Sequence, residues 1–304
     1  MTELLTHTPY DGSSKPFTIG LKPLDPDAWL EIDGHYEAYL AEKARLYATI
    51  PEKIFVEEPD TRAAQQEVLG MAAAHLSAHA ARLFPGPAGQ TALAERLRST
   101  DIAAAPLRAA SLLVQEDLIL MRRGDDGWRL AAGSLCFPSS WVLTEKFGRP
   151  LNHIHSPVPG FGDGTRNADL IARMFDRLQG QGVIRWNWSL QLGGALYHPF
   201  SNTERDARTS ARPSRFADDE AVARAFIRVE RQALRKLPVS GDILFTIRIY
   251  LDPLAVLARH PDRAVLAKSF ATQLAALEEP QLDYKGLTAD QDRLIQRLEE
   301  IAAS

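Results

Sequence analysis

The stretch SLLVQEDLILMRRGDDGWRLAAGSLCF, residues 111–137, decides the fold class. Two runs, 111–123 and 128–137, are rich in Leu, Ile and Val or flanked by aromatic residues. Between them stands Gly124-Asp125-Asp126-Gly127, a turn composition, so the pair reads as a β-hairpin. Outward from the hairpin, IRWNWSLQL (184–192) alternates cleanly. Ile184, Trp186, Trp188, Leu190 and Leu192 face one way; Arg185, Asn187, Ser189 and Gln191 face the other. DILFTIRIYL (242–251) is a further strand of β-branched and aromatic residues. Helical stretches are expected at about 165–179 and 218–237, the latter ended by Pro238, and from Pro253 to the C-terminus.

The N-terminal third reads as helical after an irregular start. From Asp33 or Gly34 a helix carries Tyr36, Tyr39, Leu40, Lys43, Leu46 and Tyr47 on one stripe, and Pro51 ends it. A second helix runs from about Asp60 to Phe84 before Pro85, Gly86 and Pro87. A hairpin, more strands and helices grouped outside them give an α+β fold with a mostly antiparallel sheet, without the alternating βαβ pattern of doubly wound proteins. The expectation is one unit over 1–304, with a core at about 107–251 and mainly helical extensions at 1–106 and 252–304.

Lys and Arg number 35 against 39 Asp and Glu, a net charge of −4, so the chain lacks the basic excess of a non-specific nucleic-acid binder. Its one cysteine, Cys136, excludes an intrachain disulfide and any Cys-built zinc or iron–sulfur site. With no signal-peptide pattern and no apolar run of about 18 residues, a cytoplasmic location and no membrane contact are expected.

Several motifs carry little. His75 and His79 could share a helix face toward a metal, but no third ligand is marked. GFGDG (160–164) does not fit GxGxxG and reads as a loop needing positive φ. The informative segment is LCFPSSWVLTEKFGRPLNHIHSPVPGFGDG (135–164), where Pro150, Pro157 and Pro159 frame His153 and His155. Prolines stiffen a loop, and a stiff loop can hold an imidazole as an axial ligand. A surface loop with two polar histidines is the alternative.

These residues resemble the family of haem-dependent oxidative N-demethylases. The resemblance rests on VQEDL (114–118), FPSSW (137–141), EKFG (145–148), IHSPVPG (154–160), RWNWS (185–189), ERQALRKLP (230–238) and LFTIRIY (244–250), in that order. Each is weak alone; their order is specific. Ile249 departs, standing where a small polar residue is expected. The resemblance implies a PAS-like sheet of five antiparallel strands holding haem b. It implies O₂-dependent removal of a methyl group from a small secondary amine, giving formaldehyde and a primary amine.

Within that reading, His155 is the expected iron ligand, with His153 supporting or replacing it, His198 next, and Cys136 as the lone thiolate alternative. Lys146, Arg231 and Arg248 lie in matched motifs as partners for haem propionates. Glu116 and Asp117, read within a strand, are the carboxylates for a methylated ammonium or for catalysis. Trp186 and Trp188 are a haem wall or cation cage, or simply core. One cysteine and no dinucleotide fingerprint place NADPH oxidation on a partner, a flavin/iron–sulfur reductase. A non-catalytic PAS-type haem sensor or binding module is the other reading.

Overall fold

The computed structural model describes residues 5–99, 105–208, 210 and 212–304. The first four residues of the start read above for a signal peptide lie outside them. Seven strands form one sheet: β1 (Lys22–Pro23), β2 (Phe55–Glu57), β3 (Asp117–Gly124), β4 (Gly127–Ser134), β5 (Val183–Leu192), β6 (Ala225–Lys236) and β7 (Ile243–Pro253). Their order is β1-β5-β6-β7-β3-β4-β2, and every pairing is antiparallel. The five long strands make the PAS-like sheet; two very short strands from the N-terminal third cap its edges. Gly124 pairs with Gly127 across the expected hairpin turn, and Gly127 takes φ +95°, where a side chain would be strained.

Two expectations are corrected. The stretch 218–237 is not a long helix: a short turn of helix, Asp219–Ala223, leads directly into β6. Its many Ala, Arg, Glu, Gln and Leu residues favour a helix locally, but pairing with β5 on one side and β7 on the other overrides that preference. The hairpin's first strand also starts later than read. Pro106–Ser111 is helical, and the carbonyls of Ser111, Val114 and Glu116 accept hydrogen bonds from the buried ammonium of Lys43. That backbone is satisfied by a side chain instead of a neighbouring strand.

The helix Tyr36–Thr49 buries Tyr36, Tyr39, Leu40, Lys43, Leu46 and Tyr47, the stripe its spacing marks. The second helix spans Arg62–Ala78 and breaks at His79 before a last turn, Ala80–Leu83. On one sheet face, Leu118, Leu120, Ile184 and Leu244 pack with these N-terminal helices. Trp188, Leu190, Ile227 and Val229 pack with the C-terminal helices Arg263–Ala275 and Gln291–Ala303. On the other face, Ile119, Met121, Leu130 and Ile247 meet the segment carrying Leu143, Phe161, Ile171 and Phe175. No helix among the described residues is long and apolar enough to cross a membrane.

Candidate functional site

That second face does not close completely. Between it and the segment 139–175 lies a cavity of about 250 Å³. Alternation dictates its lining. Phe245 and Ile247 from β7, with Ile119 and Met121 from β3, form an apolar half; Arg185, Asn187 and Ser189 from β5, with Glu230 and Gln232 from β6, form a polar half. Register places Arg185 opposite Gln232 and Asn187 opposite Glu230. The polar face of β5, not its tryptophan face, looks into the cavity.

The roof comes from two short helices, Leu143–Lys146 and Leu151–His155, separated by the turn around Gly148, which takes φ +69°. Pro150 caps the second helix, and Gly160 and Gly164, both at positive φ, shape the loop after it. His155 projects into the cavity with its ring 6.4 Å from that of Phe161. Burial first, then the positive charges of Lys146 and Arg185, lower its pKa to about 4. Near neutral pH the imidazole is uncharged, and no hydrogen bond to either ring nitrogen occurs among the described residues. Among the residues lining the cavity it is the only histidine, and no cysteine joins it.

Lys146 stands beside it. Its Nζ donates to the Ile154 carbonyl at 2.6 Å and lies 5.2 Å from the Trp141 ring centre. Burial, with Arg205 nearby, lowers its pKa to about 8. Lys285, from the helix Glu279–Lys285, reaches the cavity across β5 by donating to the Trp188 carbonyl, and burial lowers its pKa likewise to about 8. Arg185 has a buried, unpartnered Nε, and burial lowers its pKa, with Glu230 and then Tyr284 acting in the opposite direction. Glu230 accepts from Gln232 at 2.9 Å and lies 3.8 Å from Arg228 Nε. The polar half of the cavity is therefore cation-rich around one carboxylate.

The other residues singled out from sequence lie elsewhere. His153 is exposed, 3.7 Å from Asp163. Arg231 and Arg248 pair across β6 and β7 on the far face: Arg231 holds Glu31 and the Trp29 carbonyl, and Arg248 holds Asp33 at 2.7 Å between the rings of Tyr39 and Tyr250. Trp186 and Trp188 also face away, Trp188 donating to Gln273. Glu116 is buried, accepting from the Glu31 amide, and Asp117 accepts from the amides of Cys136 and Phe137 at 2.8 and 2.9 Å. Neither lines the cavity. Cys136 is buried beyond it as a thiol, its pKa pushed up to about 12 by burial. His198 bridges Ser139 through its backbone.

Sequence reasoning thus reached His155 and Lys146 but passed over Arg185, Glu230 and Lys285. The signal for Arg185 was present: it sits on the polar side of an alternating strand whose apolar side is core. Lys285 carried none, since a lysine ending a C-terminal helix normally reads as solvated. With this geometry in place, comparison with known families matches the chain to the family model described as haem-dependent oxidative N-demethylase, alpha subunit-like, over residues 20–295.

Proposed function

Because the chain belongs to the haem-dependent oxidative N-demethylase, alpha subunit-like family, we propose that its cavity would hold haem b through His155. There it removes a methyl group oxidatively from a small secondary amine of the dimethylamine kind. The observation that carries this is His155 itself, a neutral imidazole with free ring nitrogens in a largely apolar cavity. One neutral imidazole is the protein donor that a haem iron would need from the chain. The donor set fits in charge as well. Lys146, Arg185 and Lys285 outnumber Glu230, an imbalance that two propionates would relieve.

Bound there, haem supplies the one-electron and O₂ chemistry that no side chain provides. Overall, one O₂, two electrons and two protons convert the methylamine group to a primary amine, formaldehyde and water. The chain's residues have the remaining tasks. Ile119, Met121, Phe245 and Ile247 exclude water from the reacting centre. Glu230 is the carboxylate that the lining offers to a substrate ammonium, and Gln232 holds it in place. Lys146 ties the Leu151–His155 helix to the preceding one, so the imbalance of charge and the position of the imidazole are set by the same side chain.

The alpha-subunit-like description implies a partner subunit. In this reading the partner is a flavin/iron–sulfur reductase that oxidises NADPH and delivers electrons singly, and the pair works in the cytoplasm. The test is direct. Protein expressed with added haem should show a strong Soret band that dimethylamine perturbs, and should release formaldehyde only with NADPH, O₂ and the reductase. A folded but colourless protein overturns the haem assignment. A coloured one that never yields formaldehyde from small amines is a sensor instead.

A further inference from the structure

Beside the main cavity lies a second, of about 180 Å³, and the two share a wall one chain thick. The wall is the segment 17–22. Phe17, Ile19 and Leu21 line the main cavity, whereas Thr18, Gly20 and Lys22 line the second. This is strand-like alternation used as a partition, with apolar groups on one side and polar groups on the other. Lys22 is held there by β1, which pairs with the edge of β5 at Ile184.

The second cavity is rich in donors. Lys15 and Lys22 stand at its rim, exposed, and Arg185 and Trp186 border its interior. Arg185 Nε and Trp186 Nε1 are both buried without a hydrogen-bond partner. His7 is already engaged with Glu31 at 2.8 Å, and Asp11 accepts from the Ser13 amide, leaving one carboxylate against three cations. A guanidinium whose buried Nε has no partner is costly, and the group that resolves it best is a planar or tetrahedral oxyanion that takes several of its N–H donors at once.

We propose that this second cavity is a binding site for a small oxyanion, a phosphate or carboxylate group, held by Arg185 at its floor and by Lys15 and Lys22 at its rim. Because Arg185 also lines the main cavity, the anion and whatever occupies that cavity share one guanidinium. Any effect of one on the affinity of the other is then reciprocal.

The site does not depend on the haem reading, and its test is kept separate from it. Inorganic phosphate and succinate are titrated by calorimetry into the purified protein, once as haem-free protein and once after haem loading. Saturable one-to-one binding of either anion is expected in both preparations; the stronger ligand tells phosphate from carboxylate recognition. The Lys15→Ala/Lys22→Ala variant should bind about fivefold more weakly or worse, while His79→Ala, on a distant helix, should bind normally. Both lysines are exposed, so the fold should be intact, checked by its circular dichroism. No saturable binding of either anion, or binding indifferent to the double variant, overturns the proposal. Binding that vanishes on haem loading also overturns it, since the anion would then have been occupying the cofactor's own place.

Discussion

The Lys146 ammonium and the Ile154 carbonyl are joined by a 2.6 Å hydrogen bond, and the next residue along the chain is His155. This single contact ties the helix Leu143–Lys146 to the helix Leu151–His155 across the Gly148 turn. It fixes the short helix from whose last residue the imidazole projects. It also places a positive charge near the ring, which, after burial, helps to keep the imidazole unprotonated. Geometry and protonation state of the imidazole are thus set by the same side chain.

The first prediction concerns that imidazole. His155→Ala should lose haem on gel filtration or shift the Soret band to another ligation state. His153→Ala should keep the native spectrum, because that side chain is exposed and 3.7 Å from Asp163, outside the cavity. His75→Ala and His79→Ala should keep it too; their rings lie tilted 4.5 Å apart at the end of the helix Arg62–Ala78, away from the cavity. A native spectrum in His155→Ala, with loss in His198→Ala, would move the ligand to the LYHPF stretch.

The second concerns pH. Lys146 and Lys285 each have a pKa lowered to about 8 when the cavity holds no anion. An anionic ligand favours their protonated forms and raises those values on binding. Affinity is therefore full below pH 8 and falls as pH rises above it. Between pH 7 and pH 9 the haem dissociation constant should increase by roughly tenfold for each lysine that contacts a propionate. Lys285→Met should weaken binding at pH 7 and flatten the dependence. A dissociation constant constant from pH 7 to 9 would remove both lysines from the site.

How far the sequence foretold this arrangement depended on where each segment's partners come from. The Gly124–Gly127 hairpin and the stripe of Tyr36–Tyr47 were legible because their patterns are local. β6 was not. Its partner for Arg231 is Glu31, and its neighbours are β5 and β7, all distant in sequence, while its own composition favours a helix. The misreading had a consequence at the site: taken as helix, 225–236 shows no alternation, and Glu230 and Arg231 cannot be assigned to opposite faces. Read as strand, it sends Glu230 into the cavity and Arg231 to the far side. The same alternation sends Arg185 inward and Trp186 outward.

A third prediction separates stability from activity. Asp117 is fully buried and its two oxygens accept from the amides of Cys136 and Phe137. Asp117→Ala leaves both amides buried and unpaired, a loss of about 2–4 kcal/mol in urea unfolding. Haem affinity and turnover per folded molecule should be nearly unchanged, because Asp117 does not line the cavity. A large drop in kcat with normal stability would return Asp117 to the chemistry.

The last prediction follows from two buried histidines. Burial lowers the pKa of both His75 and His155 from 6.5 to about 4. Between those values the unfolded chain holds protons that the native state does not, so native stability rises with pH across the window and is lost as pH falls from about 6.5 toward 4. Asp117 acts with the opposite sign. Burial raises its pKa from 3.8 to about 6, so the native state binds the extra proton there and this group favours folding at the acid end. The net slope alone therefore identifies neither. The difference between wild type and His75→Leu does, because the substitution removes one titrating group. His75 packs edge-on against Trp29 at 5.4 Å and its buried Nε2 has no partner, so an apolar side chain should be accommodated. Urea midpoints of the haem-free proteins at pH 7, 6 and 5 should show the wild type losing stability relative to His75→Leu as pH falls. Parallel curves would mean that His75 keeps an ordinary pKa in the folded protein.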